Sequence, residues 1–123
     1  MESNNNPYLI GLDLVKQNSG TSGQGALAKC ILSLYNSSHA FSLGEILGPL
    51  DERYTGVVLA MVGEYAERGE TAELRTAGKW VYENFPRLIE LSEAMYSARA
   101  DVHQEWERQR EEENRRLYPE DFL

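Results

Sequence analysis

Residues 25–35, GALAKCILSLY, decide the class of fold because their apolar side chains recur at helical spacing. The apolar positions follow the pattern i, i+3, i+4, i+7 and i+8: Leu27, Cys30, Ile31, Leu34 and Tyr35. This spacing is typical of an amphipathic helix with one stripe facing a core. We predict a helix over about residues 23–36, capped by Ser22 or Gly23.

A glycine-rich segment over residues 17–25 precedes this helix and raises the question of phosphate binding. A P-loop has the form G-x-x-x-x-G-K-[ST], because its lysine and hydroxyl meet the phosphates and the magnesium. Lys29 instead follows Gly25 by four residues, inside the predicted helix, and the residue directly after it is Cys30 and not Ser or Thr. The glycines read G-x-x-G-x-G, which also differs from the dinucleotide pattern G-x-G-x-x-G. We interpret the segment as a mobile linker and helix cap.

The segment before the linker, YLIGLDLV over residues 8–15, is too densely apolar for clean strand alternation. It predicts either one short strand or an extended arm that packs on the core. We therefore assign residues 1–24 to an N-terminal arm and its glycine-rich linker.

Two further helices are marked by their capping residues. Ser42 and Glu45 have the capping-box spacing, and Gly48 with Pro49 ends the short helix that they begin. Asp51 caps the next helix, which ends at Gly69. Its apolar stripe comprises Tyr54, Val57, Val58, Met61, Val62 and Tyr65.

The following helix is predicted over residues 71–83, weakened at Gly78, with core residues Leu74, Trp80 and Val81. A last helix begins at Pro86 and continues to about Leu117. Its packing seam alternates spacings of three and four and consists of Leu88, Leu91, Met95, Ala98 and Val102. Trp106 is the last large apolar residue on that side, so residues 107–123 are predicted as a charged helical extension with an apolar end.

The expected fold is therefore all-α, a small helical bundle with a flexible or extended N-terminal arm and a long C-terminal helix. The chain has 123 residues, of which 41% are hydrophobic, and this suits one compact domain. We place the helical core domain at residues 25–106, between the arm of residues 1–24 and the extension of residues 107–123.

Composition restricts the partners and the compartment. The formal net charge is −8, which disfavours direct binding to nucleic acid because that affinity comes largely from Lys and Arg. An acidic chain favours a partner with a basic surface. The single cysteine, Cys30, allows no intramolecular disulfide, and no stretch is apolar enough to suggest membrane insertion. We expect a cytoplasmic protein.

Catalytic and metal-binding patterns are weak. His39 and His103 have no cysteine beside them and no H-E-x-x-H spacing, so we expect both on the surface. The carboxylates fall mostly on polar helix faces, where general acid–base catalysis is disfavoured. We expect no catalytic residue, no metal and no cofactor, and we expect the protein not to be an enzyme.

Two groups of residues are candidates for binding a partner. The first is an acidic edge at the end of one helix and the following turn, and the second lies on the extension, where exposed aromatic residues are typical of interfaces. These candidates are Glu64, Glu67, Glu70, Glu73, Trp106, Glu111, Glu112, Glu113, Tyr118 and Phe122.

The segment ALAKCILSLYNSSHAFSLGEILGPLDERYTGVVLAMV resembles a family of small uncharacterised proteins carried by plasmids, integrative elements and phages. The resemblance covers about residues 25–95 and rests on residues 34–36, Phe41, Leu43 and the pair at 50–51. It implies an accessory protein of a mobile element, and by analogy an inhibitor of host defence of the anti-CRISPR or anti-restriction type. The alternatives are a dimeric structural or assembly protein of the element, joined through the C-terminal helix, and an enzyme with an unrecognised site.

Overall fold

The structure is a computed structural model that describes residues 5–122, and it confirms the all-α class. Residues 1–4 of the expected arm and the apolar residue at 123 lie outside the described residues. The helices are α1 (Pro7–Gln17), α2 (Ser22–Tyr35), α3 (Leu43–Leu47), α4 (Glu52–Arg68), α5 (Ala72–Asn84) and α6 (Pro86–Leu117), followed by a short 3₁₀ helix (Pro119–Phe122). Within residues 5–122, no helix combines the length and the apolar character needed to cross a membrane.

The prediction of a strand or extended arm at residues 8–15 is wrong, because this segment is the helix α1. Asn6 caps it by accepting hydrogen bonds from the backbone amides of Tyr8 and Leu9. Tyr8, Leu12 and Val15 are buried on the side that packs against α2, α4 and α5. The first helix is therefore part of the core, although the sequence assigned it to an arm outside the core domain.

α2 occupies the middle of the bundle. Thr21 caps it by accepting a hydrogen bond from the Gln24 amide, so the predicted cap at Ser22 or Gly23 is off by one or two residues. The buried residues lie on more than one side of the helix and comprise Ala26, Leu27, Ala28, Cys30, Ile31 and Leu32. Burial on several sides, and not along one stripe alone, follows from the contacts of α2 with α1, α3, α4 and α5.

The predicted caps of α3 and α4 are confirmed. Ser42 and Glu45 form the capping box, and the Asp51 carboxylate accepts from the Tyr54 amide at 2.9 Å. Gly69 ends α4 with a φ of 68°. The apolar stripe of α4 is only partly buried, since Val58 and Met61 are in the core whereas Val62 and Tyr65 are about 40% exposed.

Gly78 does not interrupt α5, contrary to the predicted weakening. It is buried where α5 crosses α2, and a Cβ at this position would overlap the side chain of Tyr35. Leu74 and Val81 are buried as predicted, whereas Trp80 is only half-buried beneath the ammonium group of Lys16. The glycine is therefore a packing residue that lets two helices approach closely.

α6 packs on the body only through its first turns, where Ile89 and Ser92 are buried. Ala100 is its last half-buried residue, and residues 101–122 are all exposed. Leu91 and Val102, which were predicted to form a packing seam, are 45% and 47% exposed. The helix therefore leaves the body at residue 101 and not at residue 107, and the extension in the structure comprises residues 101–122.

Replacing Val58, which is 1% exposed, with Asp should unfold the bundle. An unpaired carboxylate in the core costs on the order of 4 kcal/mol or more, close to the whole stability of a small domain. The neighbouring Leu59→Asp is the matched control, since Leu59 is 60% exposed and its replacement should be nearly neutral. Circular dichroism melting of the two variants measures the difference, and equal melting would show that the α4 face is wrongly assigned.

Gly78→Ala should destabilise the protein by about 1–3 kcal/mol, because the added methyl group forces α5 away from Tyr35. Gly63→Ala is the control in α4, where a Cβ has no heavy atom within 4 Å. That change should stabilise the helix by about 0.5–1 kcal/mol. Urea unfolding measures whether the free energy of unfolding falls for Gly78→Ala and rises for Gly63→Ala. An unchanged value for Gly78→Ala would contradict the close α2–α5 contact.

Candidate interaction surface

The glycine-rich segment between α1 and α2 is a short turn held by the protein's own groups. The Gln24 side chain accepts from the Gly20 amide at 3.0 Å and donates to the Val15 carbonyl at 2.8 Å. The Thr21 hydroxyl accepts from the Gln24 amide at 3.1 Å. A phosphate-binding loop needs amides that point to the ligand. Two amides at this helix start instead donate to Gln24 and Thr21.

Cys30 lies in the core, and burial raises the pKa of its thiol to about 12. The reactive form of cysteine is the thiolate, so at neutral pH this thiol is a packing group. Tyr8 is fully buried beside it, and burial is also the main cause of its raised pKa, with a smaller effect of the Glu64 carboxylate.

His39 is buried, so the expectation of a surface position is wrong for this residue. Its Nδ1 lies 2.8 Å from the Oγ of Ser92, and that hydroxyl also lies 3.5 Å from the Ser38 carbonyl. This geometry fits a Ser92 hydroxyl that donates to the carbonyl and accepts from His39 Nδ1–H. These two contacts join residues more than 50 positions apart, and they connect the α2–α3 loop to α6.

A serine in contact with a histidine raises the question of nucleophilic catalysis. Ser92 lies within the continuous helix α6 and is only 2% exposed. Amides in a helix interior donate to carbonyls of the same helix, so they do not form an oxyanion hole beside the hydroxyl. The contact is best explained as a structural tie that sequence spacing alone does not reveal.

The acidic edge is partly neutralised within its own helix. Glu64 accepts from Arg68 at 2.8 Å and its side chain is only 16% exposed, whereas Glu67 and Glu70 are exposed. Glu73 is half-buried at the start of α5. Glu67 also contacts Arg68, at 3.4 Å, so Glu70 is the exposed member of the four without an ion pair among the described residues.

The second predicted group lies wholly on the extension. Trp106, Tyr118 and Phe122 are 60%, 54% and 48% exposed. The remaining predicted residues, Glu111, Glu112 and Glu113, are also exposed. The acidic edge lies instead at the end of α4 and the start of α5. The two groups of candidates therefore lie on different helices.

Charges on the extension are arranged unevenly. Arg108 bonds both Glu105 and Glu112, the latter at 2.6 Å. Hydrogen bonds from Arg108 and Gln109 hold the pKa of Glu105 below its ordinary value. Among the described residues, the ion pairs of α6 all involve Arg108.

Three shallow depressions follow α6 from the end of the body onto the extension. The first, about 300 Å³, is lined by Ser38, Ser92, Glu93 and Tyr96. The last, about 360 Å³, is lined by Ala98, Arg99, Val102, His103 and Trp106. The one between them shares Tyr96 with the first and Arg99 and His103 with the last, so the three lie side by side along α6.

Within residues 5–122, no group of three His, Cys, Asp or Glu side chains is arranged to hold a metal ion. No protein-family model, curated protein or solved structure matches the chain in the comparisons with known proteins.

The free energy of unfolding should fall as the pH falls below about 6.5, because burial lowers the pKa of His39 in the folded protein, although Glu93 opposes this. The unfolded chain then binds a proton at a higher pH than the folded chain, so protonation favours unfolding. Glu93 of α6 is the charged group acting on His39, and the ring of Tyr82 in α5 lies 6.1 Å away.

His39→Asn keeps a hydrogen-bonding group for Ser92 but removes the titration. Its stability difference from the wild type should therefore shrink between pH 8 and pH 5, as measured by urea unfolding. His103→Asn is the control, because His103 is exposed. A difference that is constant with pH would contradict the burial of a neutral His39.

Proposed function

We propose that this protein is a non-enzymatic binding protein that acts by protein–protein contact and uses the extension as a docking element. The observation that carries the proposal is the exposure of residues 101–122, which include Trp106, Tyr118 and Phe122. Large exposed aromatic side chains on a projecting helix are typical of binding surfaces.

A partner with a basic surface is favoured by charge. The net charge of −8 attracts a cationic surface over a range set by the ionic strength. Glu67 and Glu70 on the body, together with Glu111 and Glu113 on the extension, are exposed and suited to contact such a surface.

The biological setting of the proposal rests on the resemblance to proteins of mobile elements. A nucleic-acid-binding complex of host defence has a basic surface, so an acidic protein that covers it prevents nucleic acid from binding. We therefore propose an inhibitor of the anti-CRISPR or anti-restriction type, located in the cytoplasm. This setting is supported by the resemblance and the charge, and not by the fold.

A second candidate is a dimeric accessory protein of the element. It is favoured by the two groups of exposed apolar residues on the extension, Val102 and Trp106 near its start and Leu117, Tyr118 and Phe122 at its end. Two copies are able to cover each other's groups without a foreign partner.

Truncation after Trp106 should preserve the fold and abolish the complex. The removed residues are exposed, so the free energy of unfolding should change by less than about 0.5 kcal/mol. Tagged full-length and truncated proteins are compared for the proteins that they retain from host lysate, and the retained protein is then purified and titrated by calorimetry.

The titration is repeated at low and high salt, because binding between an acidic and a basic surface weakens as salt rises. An affinity that does not change with salt would overturn the proposal that the partner has a basic surface. A truncated protein that still binds the purified partner fully would overturn the role of the extension, and a truncated protein that fails to fold would show that residues 107–122 belong to the core.

A further inference from the structure

We propose that the extension pairs with the extension of a second copy of this chain in an antiparallel, two-fold arrangement. This inference deepens the dimeric candidate above and does not require a basic partner. It rests on how apolar and charged side chains are distributed around and along residues 101–122.

One face of the extension carries both its apolar ends. At about 100° per residue, Trp106 and Leu117 lie only about 20° apart around the helix and about 16 Å apart along it. Arg110 and Glu113 lie between them and fall within the same arc of about 60°. All four side chains are exposed. We call this arc the contact face.

A two-fold axis midway between Glu111 and Glu112 matches the contact face to itself. Residues whose numbers sum to 223 then lie at the same height, so Trp106 meets Leu117 of the second copy and Arg110 meets Glu113. Each contact occurs twice because the arrangement is symmetric. The same axis overlays residues 106–117 on residues 117–106, all of which are helical and exposed in the single chain.

Like charges at equal heights are kept away from this contact. The two-fold axis places Glu111 at the height of Glu112 of the second copy, and Arg108 at the height of Arg115. These four residues point more than about 120° away from the contact face. Arg108 is already bonded to Glu105 and Glu112 in its own helix, and Arg115 lies 5.4 Å from the Phe122 ring.

A parallel arrangement is disfavoured by the same charges. It places Arg110 beside Arg110 and Glu113 beside Glu113 on the contact face, where like charges destabilise the pair. Antiparallel pairing converts both contacts into attractive ones. Helix contacts helix over residues 106–117, an overlap of about 16 Å, because α6 ends at Leu117. An overlap this short is typical of a weak, concentration-dependent interface.

After Leu117 the chain leaves the helix: Tyr118 has a φ of −134° and a ψ of 60°, and the Phe122 ring lies 5.4 Å from Arg115 of the same chain. The pairing therefore rests on residues 106–117 alone.

Charge reversal tests the pairing with purified full-length protein. Arg110→Glu and Glu113→Arg should each raise the dissociation constant of the dimer at least about ten-fold, measured by sedimentation equilibrium. The double variant R110E/E113R restores both attractive contacts and should return to within about three-fold of the wild type. Glu111→Arg reverses a charge on the far side and should change the constant little.

A wild-type protein that is monomeric at all concentrations overturns the pairing, as does a double variant no better than the single ones. Single variants that dimerise like the wild type also overturn the antiparallel pairing. In parallel helices Arg110 lies beside Arg110 and Glu113 beside Glu113, so reversing either charge only exchanges one like-charge pair for another. Circular dichroism confirms that each variant is folded. If the protein is a monomer and needs the extension to bind a basic partner, only the pairing is wrong. If the protein is a dimer and binds no basic partner, only the proposed partner is wrong.

Discussion

The burial of α2 is the constraint on which the rest of the bundle depends. Its side chains from Ala26 to Leu32 leave only Lys29 half-exposed, and even that ammonium group lies 3.5 Å from Glu45 and close to Phe41. A helix covered on several sides needs neighbours on each of them, and α1, α3, α4 and α5 supply that cover. The sharpest limit is at Gly78, where α5 meets α2 without room for a methyl group. Packing of this kind fixes the distance between helices more tightly than apolar area alone.

The caps and most helix boundaries were predictable because their signals are local. The Ser42–Glu45 box and the Asp51 cap require only a few neighbouring residues, and the structure has both. The wrong prediction at α1 also comes from relying on local signals. Tyr8, Leu12 and Val15 do have helical spacing after an Asn-Pro start, but the additional apolar residues between them obscure the period. Missing α1 also made α2 look one-sided, since the helix that covers its other side was assigned to an arm.

The tie between His39 and Ser92 could not be predicted, because nothing local brings together residues 53 positions apart. A histidine in a polar loop resembles a surface residue until α6 folds over it. The only available signal was Ser92 on the same side of α6 as Leu88 and Ile89. Its position next to apolar residues indicates burial, and a buried hydroxyl needs a partner. The exposure of the extension was easier to predict, because residues 107–116 are polar or charged throughout and contain no core pattern.

A helix that continues past its core needs a source of stability other than burial. Contact with the body stabilises α6 as far as Ala100. Beyond that residue, the Arg108 hydrogen bonds with Glu105 and Glu112 contribute little, because exposed ion pairs are screened by solvent. Those pairs occupy one side of the helix and leave Trp106, Arg110, Glu113 and Leu117 on the other. An isolated helix of this length is marginal in water, so the proposed contact along the unpaired side would also stabilise the helix. The division of the extension into a self-bonded side and an unpaired side is the arrangement that the proposed docking requires.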